Sequence, residues 1–257
     1  MEAFREMTKA TTCEVHILPV LNDNYTFIIQ RGSQAVVVDP AVALPVQEWL
    51  DDRKLELVAI LQTHHHLDHI GGSRELLRLW PECHVYASMA DKSRIPFQTH
   101  ELQDEDEFII LNRQVRVLAI PGHTLNHLAY YLPPTDSDQH GELFCGDTLF
   151  IGGCGRLFEG TAEQMHRSLQ RLTALPATTR IWCAHEYSEA NLRWALTLAP
   201  EEGAIVSRLA AVRALQKEGI PSIPSSVAEE LQTNLFVLAR DADELAGLRH
   251  HKDCWNG

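Results

Sequence analysis

Thr63-His64-His65-His66-Leu67-Asp68-His69-Ile70-Gly71-Gly72 is the stretch on which the fold turns. It follows Leu57 to Leu61, an apolar run of strand length, so a buried strand delivers the cluster into a loop. Side-chain direction alternates with period 2 in an extended segment, which sends His64 and His66 to one side and His65 to the other. Two imidazoles on one side make half of a tetrahedral cation site. As the chain turns toward Gly71-Gly72, Asp68 and His69 can face a second, neighbouring point.

Three more candidate ligands stand at strand-to-loop junctions. They are His123 in Pro121-Gly122-His123-Thr124, Asp147 in Cys145-Gly146-Asp147-Thr148, and His185 after Arg180 to Cys183. Singly each means little: a histidine after a strand is more often a polar end-cap, Gly-Asp-Thr is a common turn, and a histidine-rich loop is by default a solvated one. Together, five imidazoles and two carboxylates are the inventory for two borderline divalent ions with positions left for water. Seven ligands are too many for one ion. Two divalent cations against two carboxylates and a hydroxide leave about one net positive charge, suited to a developing oxyanion.

The chain around this cluster has 257 residues, 45% hydrophobic and 22% charged, a composition that excludes disorder and fibrous classes and allows one or two domains. Its formal charge of -13, with no Lys/Arg cluster, speaks against a nucleic-acid partner, so any anionic substrate must meet local cations. No apolar run approaches the ~18 residues of a membrane span. Glu2, Arg5, Glu6 and Lys9 interrupt the first fifteen residues, so no signal peptide and a cytoplasmic protein are expected. The six cysteines contain no C-x-x-C pair, which argues against a disulfide framework and a thiolate zinc site.

Strands are expected over Val15 to Leu18, Tyr25 to Gln30 and Gln34 to Val38, a meander broken by Asn22-Asp23-Asn24 and Arg31-Gly32-Ser33. Leu44 to Leu50 has helical spacing. A second helix opens at Gly71-Gly72-Ser73, with Ser73 as N-cap, Leu76, Leu77, Leu79 and Trp80 as apolar stripe and Pro81 as stop. Further strands are read at Cys83 to Ala87, Phe108 to Leu111, Val115 to Ile120, Leu128 to Leu132, Glu142 to Cys145 and Arg180 to Cys183, with a surface loop over Pro133 to Gly141 and a helix over Thr161 to Leu172. This order suggests an α/β sandwich of two sheets with helices outside. After Glu186 the pattern is helical only. Tyr187, Ala190, Trp194 and Leu198 form one stripe, Ile205, Leu209, Val212 and Leu215 another, and Gly219 to Ser226 is a connector. The expected division is a catalytic domain over 1–185 and a helical domain over 186–257.

T-H-x-H-x-D-H with the later His, Asp and His resembles the metallo-β-lactamase-fold signature. Within that fold, essentially the whole chain resembles the glyoxalase II family, the hydroxyacylglutathione hydrolases. Asn22-Asp23-Asn24-Tyr25, Val38-Asp39-Pro40, Cys145-Gly146-Asp147-Thr148-Leu149-Phe150, Gly153-Cys154-Gly155-Arg156, Phe158-Glu159-Gly160-Thr161 and His185-Glu186-Tyr187 carry the likeness. It implies a four-layer αββα sandwich followed by a smaller all-helical, glutathione-binding domain. It also implies one metal on His64, His66 and His123, another on Asp68, His69 and His185, and Asp147 bridging. Zinc is the expected ion, with iron or manganese as alternatives. The implied reaction converts S-(2-hydroxyacyl)glutathione, S-D-lactoylglutathione in methylglyoxal detoxification, to glutathione and a 2-hydroxy acid, D-lactate. A metal-bridging hydroxide would attack the thioester carbonyl, because metal binding can lower the pKa of water from ~15.7 to ~7. A thiolate leaves without a general acid, so Asp68 and Asp147 are the catalytic carboxylates, Asp68 also a candidate proton acceptor, and His65 is no ligand.

At the substrate end, Arg249 and Lys252 share one face of an expected terminal helix and resemble the family's R-x-x-K-D pair that holds the glycine carboxylate. A basic last turn is also what the helix dipole favours. Tyr187 and Asn191 match glutathione-contacting positions, Arg156 stands where the family has Lys or Arg, and Phe158 is a candidate for the thiol channel or for the core. Leu67 replaces the aromatic residue of many relatives. Asn234-Leu235-Phe236 lacks the proline of the usual N-P-F run, and Arg240 is displaced from the arginine that commonly follows it. The protein is expected to be a monomer. The competing reading is a mononuclear iron persulfide dioxygenase of the same fold, a group that generally lacks this helical extension. A non-catalytic binding module is disfavoured by seven intact ligands. A β-lactam hydrolase is disfavoured because those sites use a cysteine ligand or lack the terminal cation pair.

Overall fold

Local turn chemistry sets the first strands of the computed structural model, which describes residues 12–136 and 139–257. The opening residues 1–11, and 137 and 138 of the expected surface loop, lie outside the described residues. Strand β1 (Glu14–Val20) pairs antiparallel with β2 (Asn24–Arg31), in a register running from Glu14 opposite Gln30 to Val20 opposite Asn24. Gly32, at φ 59°, lets the chain reverse between Arg31 and Gln34 into β3 (Gln34–Val38). Helix α1 (Ala43–Arg53) leads to β4 (Glu56–Leu61), parallel to β3. Short helices α2 (Leu67–Ile70) and α3 (Ser73–Leu79) follow, then β5 (His84–Ser88) and β6 (His100–Leu102). These strands form one six-stranded sheet in chain order, antiparallel in its first three strands and parallel in the rest.

By packing, the chain divides into two units: the described residues up to Leu118 with those of 130–139, and 119–129 with 140–257. In the first unit, β3 is buried over Ala35–Val38, as parallel strands covered on both faces are. Ile28, Val37, Val46, Leu50, Ile60, Leu76 and Val85 are fully buried in one cluster, each contributing roughly 1.5–3 kcal/mol. This unit also holds the hairpin of β7 (Glu107–Ile110) with most of β8 (Arg113–Ala119). Its turn residues Leu111 and Asn112 both have positive φ. Strand β9 (Leu128–Leu132) carries the chain from the second unit back into the first.

The second unit holds β10 (Glu142–Gly146), the two-residue strands β11 (Leu149–Phe150) and β12 (Gly153–Cys154), and helix α4 (Ala162–Thr173). It continues through β13 (Arg180–Cys183), α5 (Ser188–Leu198), α6 (Gly203–Lys217), β14 (Ser225–Ser226), α7 (Val227–Thr233) and α8 (Ala242–Asp253). Strand β13 lies parallel to β10 and antiparallel to β14. Side chains cap α4, α7 and α8: Thr161 and Gln164 form a reciprocal capping box on the first, and Ser226 and Asp241 cap the other two.

Four details depart from the sequence reading. Ser73 is the first residue of α3 and not its cap, because its hydroxyl donates to Gln62 Oε1 (3.3 Å), and Leu79 of the expected stripe is exposed. The segment after the histidines is helical at α2, where a loop is expected. The stripe Tyr187, Ala190, Trp194, Leu198 fails except at Trp194: α5 buries Ser188, Asn191, Leu192, Trp194 and Ala195, while Tyr187 and Ala190 face a cavity. Residues after Glu186 are not purely helical, since Ser225 and Ser226 pair with Ile181 and Arg180.

The capping box gives a direct check: Thr161→Ala lowers the unfolding free energy by ~1 kcal/mol in a denaturant titration.

Candidate metal centre

In the first unit, the site is built on a buried carboxylate. Asp39, at the end of β3 with φ 50°, is 3% exposed. It accepts bonds from Thr63 N (2.8 Å), Thr63 Oγ1 (2.5 Å) and His69 Nδ1 (2.9 Å). Because the threonine hydroxyl spends its proton on Asp39, its oxygen accepts from His64 Nδ1 (3.0 Å). Both rings are thereby held in the tautomer whose Nε2 carries a lone pair, the form that binds metal. His64 Nε2 lies 3.0 Å from His66 Nδ1, and His69 Nε2 lies 3.8 Å from Asp68 Oδ2. Asn24 Nδ2 donates to Asp68 Oδ2 (3.1 Å) and to its backbone oxygen (3.2 Å). His65 turns elsewhere: its Nδ1 is 3.5 Å from the buried Asp91 and its Nε2 3.2 Å from Arg94. The loop sits so close to its support that a Cβ on Gly71 or Gly72 would come within 2.6 Å of the backbone at 41–43.

In the second unit, Asp147 stands between two histidines. His123 Nε2 is 3.4 Å from Asp147 Oδ2, and His185 Nε2 is 3.2 Å from Asp147 Oδ1. His123 Nδ1 donates to the Arg156 carbonyl (2.9 Å), so its Nε2 lone pair points toward an anionic oxygen. Two electron-rich atoms facing each other at that distance are an arrangement that a cation resolves. The donor chemistry of both units thus fits divalent ions. His127 also belongs here. It is buried, its Nδ1 bonds Leu128 O (3.1 Å), and its Nε2 accepts from Asp147 N (3.2 Å), which fixes the backbone of the carboxylate. The His123-x-x-x-His127 spacing is the signal for it in the sequence.

All six side chains expected at the substrate end line one cavity of about 480 Å³ in the second unit, with His123 and Asp147. Phe158 is 62% exposed and meets the His123 ring edge-on at 5.2 Å; Tyr187 stacks on His185 at 4.8 Å. Arg156 is exposed, 3.7 Å from Asp253. Arg249 is buried, its guanidinium bonded to Cys154 O (2.9 Å) and Asp253 (2.9 Å) over the Phe236 ring. Lys252 lies over Trp194 and donates to Asn191 Oδ1; burial, then the neighbouring Arg249, push its pKa down to about 7. Cys154 also lines the cavity, and burial pushes its thiol up to about 11, too high for a thiolate nucleophile near neutrality. In the departing run, Asn234 stays fully buried and Phe236 stacks on Trp194 without the proline; Arg240 pairs with Glu244 at the surface.

Comparison with known proteins agrees with this chemistry. Residues 19–185 match the family model of the metallo-beta-lactamase superfamily, and 186–255 match that of the hydroxyacylglutathione hydrolase C-terminus. A hydroxyacylglutathione hydrolase of Prochlorococcus marinus (strain MIT 9303) is 58% identical over 94% of this chain and 93% of its own. One of Synechococcus sp. (strain CC9605) is 53% identical over 94% and 97%. Among solved structures, ETHE1 from Myxococcus xanthus superposes with a TM-score of 0.70 at 25% identity, covering 95% of this chain and 92% of that one. Fold and donors together define a divalent-metal enzyme of the metallo-beta-lactamase superfamily. Within it, the chain belongs to the hydroxyacylglutathione hydrolases.

Because Asp39 orients two candidate ligands at once, Asp39→Asn weakens divalent-metal binding by ~10–100-fold, measured by competition with a chromogenic chelator.

Proposed function

We propose that this chain hydrolyses S-(2-hydroxyacyl)glutathione, S-D-lactoylglutathione in particular, to glutathione and the 2-hydroxy acid. In this reading two divalent ions, zinc in the first instance, would be held by His64, His66, Asp68, His69, His123, Asp147 and His185. Residues 1–185 act as the catalytic domain and 186–257 as the glutathione-binding one. The observation that carries the reading is the match of 186–255 to the hydroxyacylglutathione hydrolase C-terminus, since the catalytic half is common to a whole superfamily. The same match, with the hydroxyacylglutathione hydrolases at 53–58% identity, weighs against the persulfide dioxygenase reading.

Bound ions would supply Lewis acidity and a hydroxide nucleophile at neutral pH. The chain's own residues do the rest. Asp39 and the Arg156 carbonyl hold imidazole lone pairs toward the ions. Asp68, fixed by Asn24, accepts a proton, and the glutathione thiolate, from a thiol of pKa ~8.5, leaves unaided. Arg249 and Lys252 supply the local positive charge that an acidic protein needs for an anionic substrate. Among the described residues the six cysteines form no disulfide, which suits a reducing, cytoplasmic setting. Among the described residues, no helix is long and apolar enough to cross a membrane.

Turnover of S-D-lactoylglutathione beside a non-glutathione thioester tests the proposal. The metal-replete protein cleaves the first with a clear preference, and Asp68→Ala abolishes most of the rate; equal rates on both substrates, or none on either, would sink it. Lys252 gives a second check through pH. Its amine is charged below about 7 and increasingly neutral above it, so KM for the glutathione ester rises with pH through and beyond that point while kcat changes less. Lys252→Met flattens this rise. In the stability ledger the sign is opposite to that of a salt-bridged lysine: the unfolded chain holds the proton more tightly, so stability increases with pH from about 7 toward the ordinary lysine range.

A further inference from the structure

Five consecutive residues, Phe150 to Cys154, each give a backbone polar group to a buried side chain from the helical extension. Asn234 Nδ2 donates to Phe150 O (3.1 Å) and Gly153 O (3.0 Å), and Asn191 Nδ2 to Ile151 O (2.9 Å). Gly152 N donates to Glu230 Oε2 (2.9 Å), and Arg249 donates to Cys154 O (2.9 Å). Glu230 and Asn234 are fully buried, and Asn191 and Arg249 nearly so. At the centre is the Glu230 carboxylate. Beyond Gly152 it accepts from Asn234 Nδ2 (2.9 Å), Arg208 (2.6 Å) and Ser225 Oγ (2.5 Å). All four partners are donors, so only an acceptor-only group satisfies them.

The strapped turn runs straight into the second half of the metal centre. Gly155 N donates to Thr148 O (3.2 Å), and a Cβ on Gly155 would fall 1.9 Å from Asp147 O and 3.1 Å from His123 Nδ1. Arg156 O then accepts from His123 Nδ1, and Phe158 N and Glu159 N donate to His123 O (3.2 and 3.3 Å). A shift of the turn by a few tenths of an ångström therefore moves the groups that aim His123 and crowd Asp147.

The geometry points to Glu230, with Asn234, as a positioning residue: the helical extension holds the 150–154 turn and thereby sets the His123–Asp147 half of the metal centre, in addition to any contact it makes with substrate. The metal-binding arm of this inference stands apart from the substrate identity; its kinetic arm rests on the thioesterase reading.

The test compares wild type, Glu230→Gln and, as control, Glu229→Gln at the exposed neighbouring position. The glutamine keeps the shape but turns an NH2 toward donors. Zinc affinity is read by chelator competition, kcat and KM with S-D-lactoylglutathione, and melting by circular dichroism. Glu230→Gln weakens zinc binding and lowers kcat by ~10–100-fold, with KM little changed, whereas Glu229→Gln behaves as wild type. A variant that melts lower yet keeps wild-type zinc affinity and kcat overturns the inference, leaving Glu230 a purely structural group. Should Glu230→Gln not fold, amide hydrogen exchange of the wild type decides. Linkage is reciprocal, so zinc loading slows exchange across 150–156, at Gly152 above all, by ~10-fold; unchanged exchange overturns the inference. If wild type binds zinc but cleaves no glutathione ester, the hydrolase reading falls while the zinc and exchange measurements still decide the role of Glu230.

Discussion

The buried carboxylate of Asp39 is the constraint on which the histidine cluster of the first unit depends. Taking a carboxylate out of water costs several kcal/mol unless its lone pairs are filled, and here a backbone N–H, a hydroxyl and an imidazole N–H fill them. The consequence reaches further than stability. Each of those donors, once committed, fixes what lies behind it: the threonine hydroxyl can only accept from His64, and the His69 ring can only present Nε2. One charge thus dictates two tautomers. This is why the histidine loop can lie against the 40–43 segment with glycines at 71 and 72 and still aim its rings reproducibly.

The second half solves the same problem by other means. A backbone carbonyl holds the Nδ1 of His123, and the loop carrying that carbonyl is pinned by side chains far along the chain. A carbonyl orients a ring only as well as its own backbone is held. The density of side-chain bonds to Phe150 through Cys154 is the corresponding expense in the helical extension, and it explains why Asn191 and Arg249 are buried and bonded even though they line the cavity. The extension and the His123–Asp147 cluster are therefore parts of one device, although the family models divide them at residue 185.

What was legible in the sequence follows from this distinction. Candidate ligands advertise themselves: His64, His66, Asp68 and His69 stand together, and His123, Asp147 and His185 each follow a strand. Orienting groups do not. Asp39 is an ordinary aspartate at a strand end and Glu230 reads as one more helical carboxylate; only their partners reveal them. The stripe through Tyr187 and Ala190 misled for a related reason. Periodicity says which residues share a face but not whether that face meets core or cavity, and α5 buries the polar Ser188 and Asn191 because hydrogen bonds satisfy them there. Strand β14 was illegible because two serines between a proline and a helix carry no pattern at all.

The acidic total of -13 is a poor guide to what a ligand meets. Exposed charges act through water and within a Debye length of ~8 Å at physiological ionic strength, whereas charges in a cavity act through protein. Lys252 illustrates the point from inside. An ammonium comfortable at its site would keep the usual lysine pKa; this one is depressed because burial and Arg249 both oppose it, and the carboxylate of Asp253 does not compensate. Two bound divalent ions would add the same kind of local excess beside His123 and Asp147. The net count of the whole chain thus says little about this cavity, where Arg156, Arg249 and Lys252 stand together with Asp147.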